Sequence, residues 1–297
     1  MLTRAARGLD PIRALSLAAT AIVLAVVGGI AIYLGLASIP AIRREGLALF
    51  TGTHWSYRRE TFGAAAMIYG TGIVSAIAIA IAAPLGLACA IFTSEVCPQR
   101  LRLLAKVAIE LLAGIPSVVY GLFGILVLRG VMARLLGTSG DSLLTAGVLL
   151  AIMVLPTMAS LSDDALQSVP ARVRDAARGL GLTRAETVLG TVLPQAFAGI
   201  VSALLLGLGR ALGETIAVFL VVGRADNRWP ASLASLAPVL DAGQTLTSKL
   251  GGAETNIAMG NALHTSALMA LGLTLLLATF ALATGAQLLR GRIGAHR

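Results

Sequence analysis

The chain has 297 residues, of which 57% are hydrophobic and only 12% are charged, and its formal net charge is +9. A soluble domain carries roughly twice that charged fraction, so this composition, with a mean hydropathy of +0.88, excludes a soluble globular protein and indicates a polytopic membrane protein. The positive charge therefore predicts basic loops on the cytoplasmic side of a membrane and no nucleic-acid partner.

Six apolar runs are long enough to cross a bilayer, for which about 20 residues suffice. The sequence lacks segments of strictly alternating polarity, so the spans are predicted to be helices and the protein to be an all-α membrane protein. The predicted spans are, in chain order, Ala14–Ala37, Ala64–Thr93, Leu103–Leu128, Ser142–Leu161, Gln195–Gly223 and Leu263–Leu289.

The first run follows a basic start, as a signal peptide does, but it is longer than a signal h-region and no clear cleavage site follows it. We interpret it as a retained helix. With the N-terminus inside, the predicted inner segments hold more Arg and Lys than the outer segments, which predicts that both termini are cytoplasmic. In the last outer loop, Ala231–Leu240 is interpreted as a short re-entrant or surface helix.

The predicted third span contains an acidic residue, Glu110, ahead of Pro116. A proline inside a span frees a backbone carbonyl and bends the helix, and such a bend commonly lines a cavity. Glu110 is therefore expected either to face a translocation pathway or to lie near the inner end of the span and pair with Arg102 or Lys106. At the inner end of the fourth span, Asp163–Asp164 is predicted to be a solvated pair.

The segment 168–194 between the fourth and fifth spans is predicted to form two short helices. Gly179 and Gly181 can supply a left-handed cap at the end of the first helix. Thr183 and Glu186 have the spacing of a capping box and start the second helix. The result is a compact helical hairpin on the cytoplasmic face.

That hairpin resembles the EAA motif of the permeases of ABC transporters. This chain departs from the family pattern at two positions: it has Asp175 in place of Glu and Thr191 in place of Ile. The resemblance implies that the hairpin docks as a coupling helix into a groove on a nucleotide-binding subunit. The residues that match the motif are Asp175, Ala176, Ala177, Gly181, Leu193 and Pro194.

The predicted fifth span carries Arg210 and Glu214 within an apolar stretch. A charge at bilayer depth costs about 2.5–3.5 kcal/mol on insertion scales, and residues at i and i+4 share one helix face. The two side chains are therefore predicted either to form a structural ion pair or to serve a translocation path, where an anion needs a fixed cation. Gly209 and Gly213 are predicted to permit close helix packing.

Two segments narrow the resemblance to phosphate permeases. Ile109–Gly124 resembles their third-span signature, and the Arg-Ala-Leu-Gly-Glu core at 210–214 is followed by Thr-Ile-Ala-Val, as in PstC-type subunits. The resemblance implies the type I ABC importer (MetI-like) permease fold and transport of inorganic phosphate. It also implies four kinds of partner: membrane lipid, a second, PstA-type permease, two ATPase subunits and an extracytoplasmic phosphate-binding protein.

The sequence predicts no enzymatic chemistry in this chain. A Walker A loop needs a lysine after glycine, whereas neither Lys106 nor Lys249 follows one, and the three histidines lack metal-ligand spacing. ATP and Mg²⁺ are expected on the partner ATPase, with no cofactor or metal here.

Residues 1–297 are predicted to form one permease domain with its core at about 64–290. Two alternatives remain: a permease for another oxyanion, such as sulfate or molybdate, and a secondary transporter driven by an ion gradient.

Overall fold

A computed structural model describes residues 2–230, 237–252, 254–258 and 260–295. Within those residues, six helices are long and apolar enough to cross a membrane, which confirms the predicted all-α class and the number of spans. These candidate spans are Ile12–Glu45, Ala65–Val96, Ser117–Leu136, Leu143–Gln167, Arg184–Gly213 and Ala262–Gly285.

The first half of the chain supplies four of these spans and one short antiparallel ladder, in which Trp55 pairs with Phe62. Its elements are α1 (Leu2–Glu45), α2 (Ala48–Thr51), β1 (Trp55–Ser56), β2 (Thr61–Phe62), α3 (Ala65–Ile91) with a π-helical end (Phe92–Val96), α4 (Gln99–Ala113), α5 (Ser117–Phe123), a π-helical segment (Gly124–Leu128), α6 (Arg129–Leu136) and α7 (Leu143–Gln167).

The second half supplies the helical hairpin, the fifth and sixth spans and a long loop with short helices. Its elements are α8 (Ala171–Gly179), α9 (Arg184–Thr187), a π-helical segment (Val188–Val192), α10 (Leu193–Gly213), α11 (Ile216–Val221), α12 (Ala237–Leu240), α13 (Leu246–Leu250), α14 (Glu254–Ala258) and α15 (Ala262–Ala295).

Helix α7 forms the centre of the bundle, between α3 and α10. In its most apolar 18-residue stretch 67% of the residues are buried, whereas the corresponding stretch of α1 has none buried. Small residues let the backbones approach: a Cβ atom at Gly147 of α7 would lie 2.7 Å from the side chain of Ile77 of α3. Close approach through glycine is the usual way in which helices pack tightly in lipid.

The predicted third span, Leu103–Leu128, is wrong in its first half. Helix α4 ends at Ala113, and α5 begins only after Pro116. Proline has no N–H to continue a helix and disfavours the helical conformation of the residue before it, so the chain breaks there and does not merely bend. None of the fifteen residues of α4 is buried. The membrane span is instead Ser117–Leu136.

The long loop between the fifth and sixth spans folds back into the bundle. Its buried segment is α13, where the backbone N–H of Leu246 donates to the hydroxyl of Thr71 on α3 at 2.9 Å. A Cβ atom at Gly70 would lie 2.1 Å from the carbonyl oxygen of Gln244, so only glycine fits at this crossing. Of the predicted re-entrant helix Ala231–Leu240, residues 231–236 lie outside the described residues, and α12 covers the remainder.

Candidate functional site

The fifth span is interrupted between its two charged residues. Helix α10 ends at Gly213, Glu214 has an extended backbone with φ −72° and ψ 124°, and α11 begins at Ile216. The predicted continuous helix Gln195–Gly223 is therefore wrong, and so is the predicted placement of Arg210 and Glu214 on one helix face. In the described structure the two side chains form no ion pair with each other.

Arg210 reaches across to the central helix. Its Nη1 donates to the hydroxyl of Thr157 on α7 at 3.0 Å. Arg210 also lines a cavity of about 370 Å³ between α10 and α15, together with Ser202, Gly209, Thr279 and Gln287. A guanidinium stays charged in a protein and has five N–H donors, so one hydroxyl partner leaves donors available to an anion in this cavity.

Glu214 stabilises the break in the span. Its carboxylate accepts a hydrogen bond from the backbone N–H of Ala217 at 3.1 Å, which caps the first turn of α11. Its carbonyl oxygen accepts from the Thr247 hydroxyl of α13 at 2.8 Å. Broken helices with satisfied ends are typical of transport sites at membrane depth, where irregular backbone lines a cavity.

The glycines of α10 do not act as predicted. A Cβ atom at Gly209 or Gly213 would meet no heavy atom within 4 Å in the described structure, so neither glycine mediates close packing. The close approach falls at Gly207, where a Cβ atom would lie 2.8 Å from the side chain of Met158 on α7. Gly209 instead lies on the cavity wall beside Arg210.

Glu110 lies on α4, outside the membrane span in which the sequence placed it, and its side chain is exposed. The pathway role of Glu110 stays a prediction. Lys106, one turn earlier, bonds to Asp164 at 2.9 Å and lies 3.8 Å from Asp163. The hydrogen bond to Asp164 raises the pKa of Lys106, and the charges of Asp163 and Glu110 act in the same direction.

Asp163 and Asp164 are not both solvated, which corrects the predicted solvated pair. The side chain of Asp164 is 56% exposed, whereas that of Asp163 is only 5% exposed. Asp163 accepts a hydrogen bond from the hydroxyl of Thr93 at 3.0 Å and another from the amide of Gln167. The aspartate thus ties α3 to α7 inside the bundle.

The hairpin of residues 168–194 has the two helices that the sequence predicts. The Thr183–Glu186 capping box is present, and Gly181 has φ +85°, the left-handed conformation that the turn requires. Asp175 and Ala176 are exposed on α8, whereas Ala177 is buried against the bundle. Leu193 and Pro194 begin α10, so the hairpin passes directly into the fifth span.

A buried ion pair that the sequence did not reveal anchors this hairpin. Arg174 of α8 bonds to Glu95, in the π-helical end of α3, at 2.8 Å. The same guanidinium donates to the carbonyl of Leu166 at 2.7 Å. Because the partners are far apart in sequence, no local pattern could have indicated the pair.

A second unpredicted cluster lies at the opposite end of the bundle, under the long loop. The ammonium of Lys249 on α13 is 1% exposed and lies 2.8 Å from Asp226 and 3.1 Å from Glu254. The His264 imidazole on α15 lies 2.6 Å from the other oxygen of Glu254. Lys249 also lies 5.4 Å from the centre of the Trp55 ring. These contacts join the long loop to the ladder that precedes α3.

Comparison with known proteins identifies the family. Residues 82–293 match the family described as binding-protein-dependent transport system inner membrane component. The chain belongs to that family. The match covers most of the chain, including the hairpin and the interrupted fifth span, and this permease is a multi-pass inner-membrane protein.

Relatives and solved structures agree with this assignment. The phosphate transport system permease protein PstC of Mesorhizobium japonicum is 39% identical, over 94% of this chain and 89% of its own length. PstC of Xylella fastidiosa strain Temecula1 is 35% identical, over 85% and 81% respectively. A chain of the inward-facing MetNI methionine ABC transporter superposes with a TM-score of 0.56 at 17% identity, covering 77% of this permease and 96% of that chain. That likeness confirms the predicted MetI-like fold.

Proposed function

We propose that this permease carries inorganic phosphate across the cytoplasmic membrane as one subunit of an ATP-driven importer. The relatives named as phosphate permeases support this function, since they match nearly the whole chain. The observation that carries it is Arg210, which presents a permanent positive charge to a cavity between two spans. A fixed cation offsets the cost of removing an anion from water, because opposite charges attract strongly where the dielectric constant is low.

The interrupted fifth span gives this site a means of changing its surroundings. The half-helix α11 begins beside Glu214. The backbone carbonyl of Glu214, just before this helix, is held by the hydroxyl of Thr247 in the inserted loop. Because α10 ends at the break, it can rotate against α15 without α11, and such a rotation would open the Arg210 cavity between α10 and α15 to one side or the other. A ligand or partner can drive such a change only through contacts that differ between the two states.

Coupling to ATP is assigned to the hairpin of residues 168–194. Its exposed residues, among them Asp175 and Ala176, would contact an ATPase subunit that binds ATP and Mg²⁺. The buried pair of Arg174 and Glu95 would transmit the motion to α3. The assembled importer would contain two ATPase subunits, a second permease of the PstA type and a phosphate-binding protein outside the membrane.

This arrangement requires the hairpin and both termini to be cytoplasmic, with the long loop of residues 222–261 outside. An Arg172→Cys variant, with Cys89 and Cys97 replaced by Ser, tests the orientation, since Arg172 is exposed on α8. A membrane-impermeant maleimide should label the variant in inside-out vesicles and leave it unlabelled in intact spheroplasts. Labelling only from outside would refute the topology.

Phosphate uptake by an Arg210→Gln variant, assembled with its partner subunits in vesicles, tests the function. The only side-chain partner of Arg210 among the described residues is the Thr157 hydroxyl, so the substitution is expected to preserve insertion and assembly while abolishing uptake. Arg43→Gln, an exposed position on α1, is the matched control and should transport normally. Sulfate and molybdate added in excess should compete weakly with phosphate.

The double variant Arg210→Gln with Glu214→Gln separates a pathway role from a structural one. If the two charges only neutralised each other, removing both would restore activity, because replacing both partners of a buried pair is often neutral. Their separation in the structure leads us to expect no recovery. Substantial uptake by either variant would exclude Arg210 from the anion path.

A further inference from the structure

An open cavity of about 320 Å³ lies beside the hairpin, at the end of the bundle away from the long loop. It is distinct from the Arg210 cavity between α10 and α15. Four elements contribute to it: the π-helical end of α3, α4, the end of α7 and the hairpin. Its lining is mostly basic and consists of Ser94, Glu95, Arg102, Gln167, Arg174, Arg178 and Arg184.

The charges of this cavity do not balance. Arg174 and Glu95 bond to each other at 2.8 Å and neutralise each other. Arg178 has only a distant contact with Asp175, at 3.9 Å and exposed to solvent, where such pairs contribute little. The side chains of Arg102 and Arg184 have no hydrogen bond or ion pair among the described residues. Three guanidinium groups thus face one small space, and among the described residues only Arg178 has a carboxylate near it, the exposed Asp175.

A polar atom in the cavity is also without a partner. The hydroxyl oxygen of Ser94 is buried and makes no hydrogen bond in the described structure. A buried hydroxyl normally finds a partner, because leaving it unsatisfied costs about 1–3 kcal/mol. Ser94 lies next to Glu95, on the wall of the cavity that the arginines share. A rotation of the Ser94 side chain would bring this hydroxyl to the cavity surface, where it can donate to a bound acceptor.

We propose that this cavity binds a phosphoryl oxyanion. Guanidinium groups present paired N–H donors whose spacing matches the oxygens of phosphate, which makes arginine the preferred residue for such ligands. Arg102 and Arg184 supply two unpaired guanidinium groups, and Arg178 adds a third positive charge. The Ser94 hydroxyl completes the set of hydrogen-bond donors. Arg174 stays bound to Glu95 and holds the wall in place.

The ligand has two possible sources, which share this chemistry. Arg102 belongs to α4, whose apolar side chains Leu103, Leu104 and Leu111 are exposed. An amphipathic helix of this kind lies in the surface plane of a bilayer, at the level of the lipid headgroups. The cavity therefore opens where both the phosphate of an anionic lipid and free inorganic phosphate can reach it. Basic pockets at this level attract anionic headgroups.

Binding to the purified full-length protein tests the proposal. One arm titrates inorganic phosphate by calorimetry into the protein in phosphatidylcholine nanodiscs. The other counts bound phosphatidylglycerol by native mass spectrometry of detergent-solubilised protein. The test variant is Arg102→Gln with Arg184→Gln, which removes two cations that have no hydrogen bond or ion pair with another described side chain. The matched control is Arg100→Gln with Arg172→Gln, which removes the same charge from exposed positions of α4 and α8 outside the cavity.

The test variant is expected to lower affinity for one of the two probes at least about tenfold, which corresponds to 1.4 kcal/mol. The control should leave that affinity unchanged. Loss confined to phosphate identifies the free anion as the ligand, and loss confined to phosphatidylglycerol identifies the headgroup. Phosphate held on the Arg210 path would be retained by both variants, so their difference reports on the cavity alone.

An equal loss of probe affinity in the test and control variants would overturn the proposal, because it would reveal a general effect of surface charge. Absence of binding to both probes in the unmodified protein would overturn it as well. Ser94→Ala, which removes one oxygen and no charge, gives a second check and should weaken binding a few-fold. The inference does not depend on phosphate transport, since Arg210→Gln is expected to abolish uptake and leave this binding intact.

Discussion

The guanidinium of Arg174 and the carboxylate of Glu95 lie 2.8 Å apart although 79 residues separate them in the chain. Their side chains are 15% and 6% exposed, so the pair is largely removed from solvent. Arg174 belongs to the hairpin, and Glu95 belongs to the end of the second span. Any displacement of the hairpin must therefore move that span or break a buried ion pair.

The first prediction concerns that pair. Arg174→Gln should lower the free energy of unfolding by about 3–5 kcal/mol, because it leaves the buried carboxylate of Glu95 without a counter-charge. Adding Glu95→Gln should recover much of that loss. Thermal unfolding in detergent measures both effects, and Arg172→Gln on the exposed face of α8 serves as the control. Equal loss in the single and double variants would show that the charge pair contributes little.

The second prediction concerns the turn between α8 and α9. Gly181 has φ +85°, and a residue with a Cβ atom pays about 1–2 kcal/mol for a left-handed backbone. Gly181→Ala should therefore distort the hairpin and reduce ATP-driven uptake severalfold while membrane insertion stays normal. Gly179→Ala is the control, because that glycine ends a helix and a Cβ atom there meets open space in the described structure. Full uptake by Gly181→Ala would contradict the prediction.

The third prediction concerns the crossing of α3 and the long loop. In Gly70→Ala the new methyl group would lie 2.1 Å from the carbonyl oxygen of Gln244, a backbone atom with little freedom to move. Overpacking of this kind typically costs 1–3 kcal/mol, so the melting temperature should fall. Gly72→Ala, on the same helix with no neighbour within 4 Å in the described structure, should be neutral. Identical melting temperatures would exclude the close crossing.

The fourth prediction concerns the buried lysine. Lys249→Met should lower the free energy of unfolding by about 3–5 kcal/mol, because Asp226 and Glu254 would both lose their contact with the buried ammonium group. Limited proteolysis of the long loop should accelerate in the same variant. Arg228→Gln provides the contrast, since its contact with Asp241 is exposed and such pairs contribute about 0–1 kcal/mol. A Lys249→Met protein as resistant to protease as the parent would argue against the cluster.

The regular parts of this fold could be predicted from local sequence. Four spans and the hairpin follow from apolar length and helix-capping residues, and Thr183 with Glu186 forms the capping box that its spacing indicates. Each of these signals acts within a few residues. The family resemblance then supplied the fold, because the hairpin motif has fixed spacing.

The interruptions and the long-range pairs could not be predicted in this way. Hydropathy averaged over Leu103–Leu128 merged the end of the amphipathic α4 with the apolar α5, because such an average does not register the break at Pro116. The break at Glu214 depends on α13, because the Thr247 hydroxyl of that helix donates to the Glu214 carbonyl. Helix α13 belongs to the long loop and not to the fifth span. No local pattern pairs Lys249 with Asp226, which lies 23 residues before it in the chain.

The uneven burial of the spans has a consequence for biosynthesis. Helix α1 emerges from the ribosome before the other candidate spans, and no residue of its most apolar stretch is buried, so lipid can receive it. Helix α7 depends on both an earlier helix, α3, and a later one, α10. Leu166, near the C-terminal end of α7, packs with Val192 and Ala196, which are synthesised only with the fifth span. The centre of the molecule therefore cannot mature in the membrane until the fifth span has been synthesised.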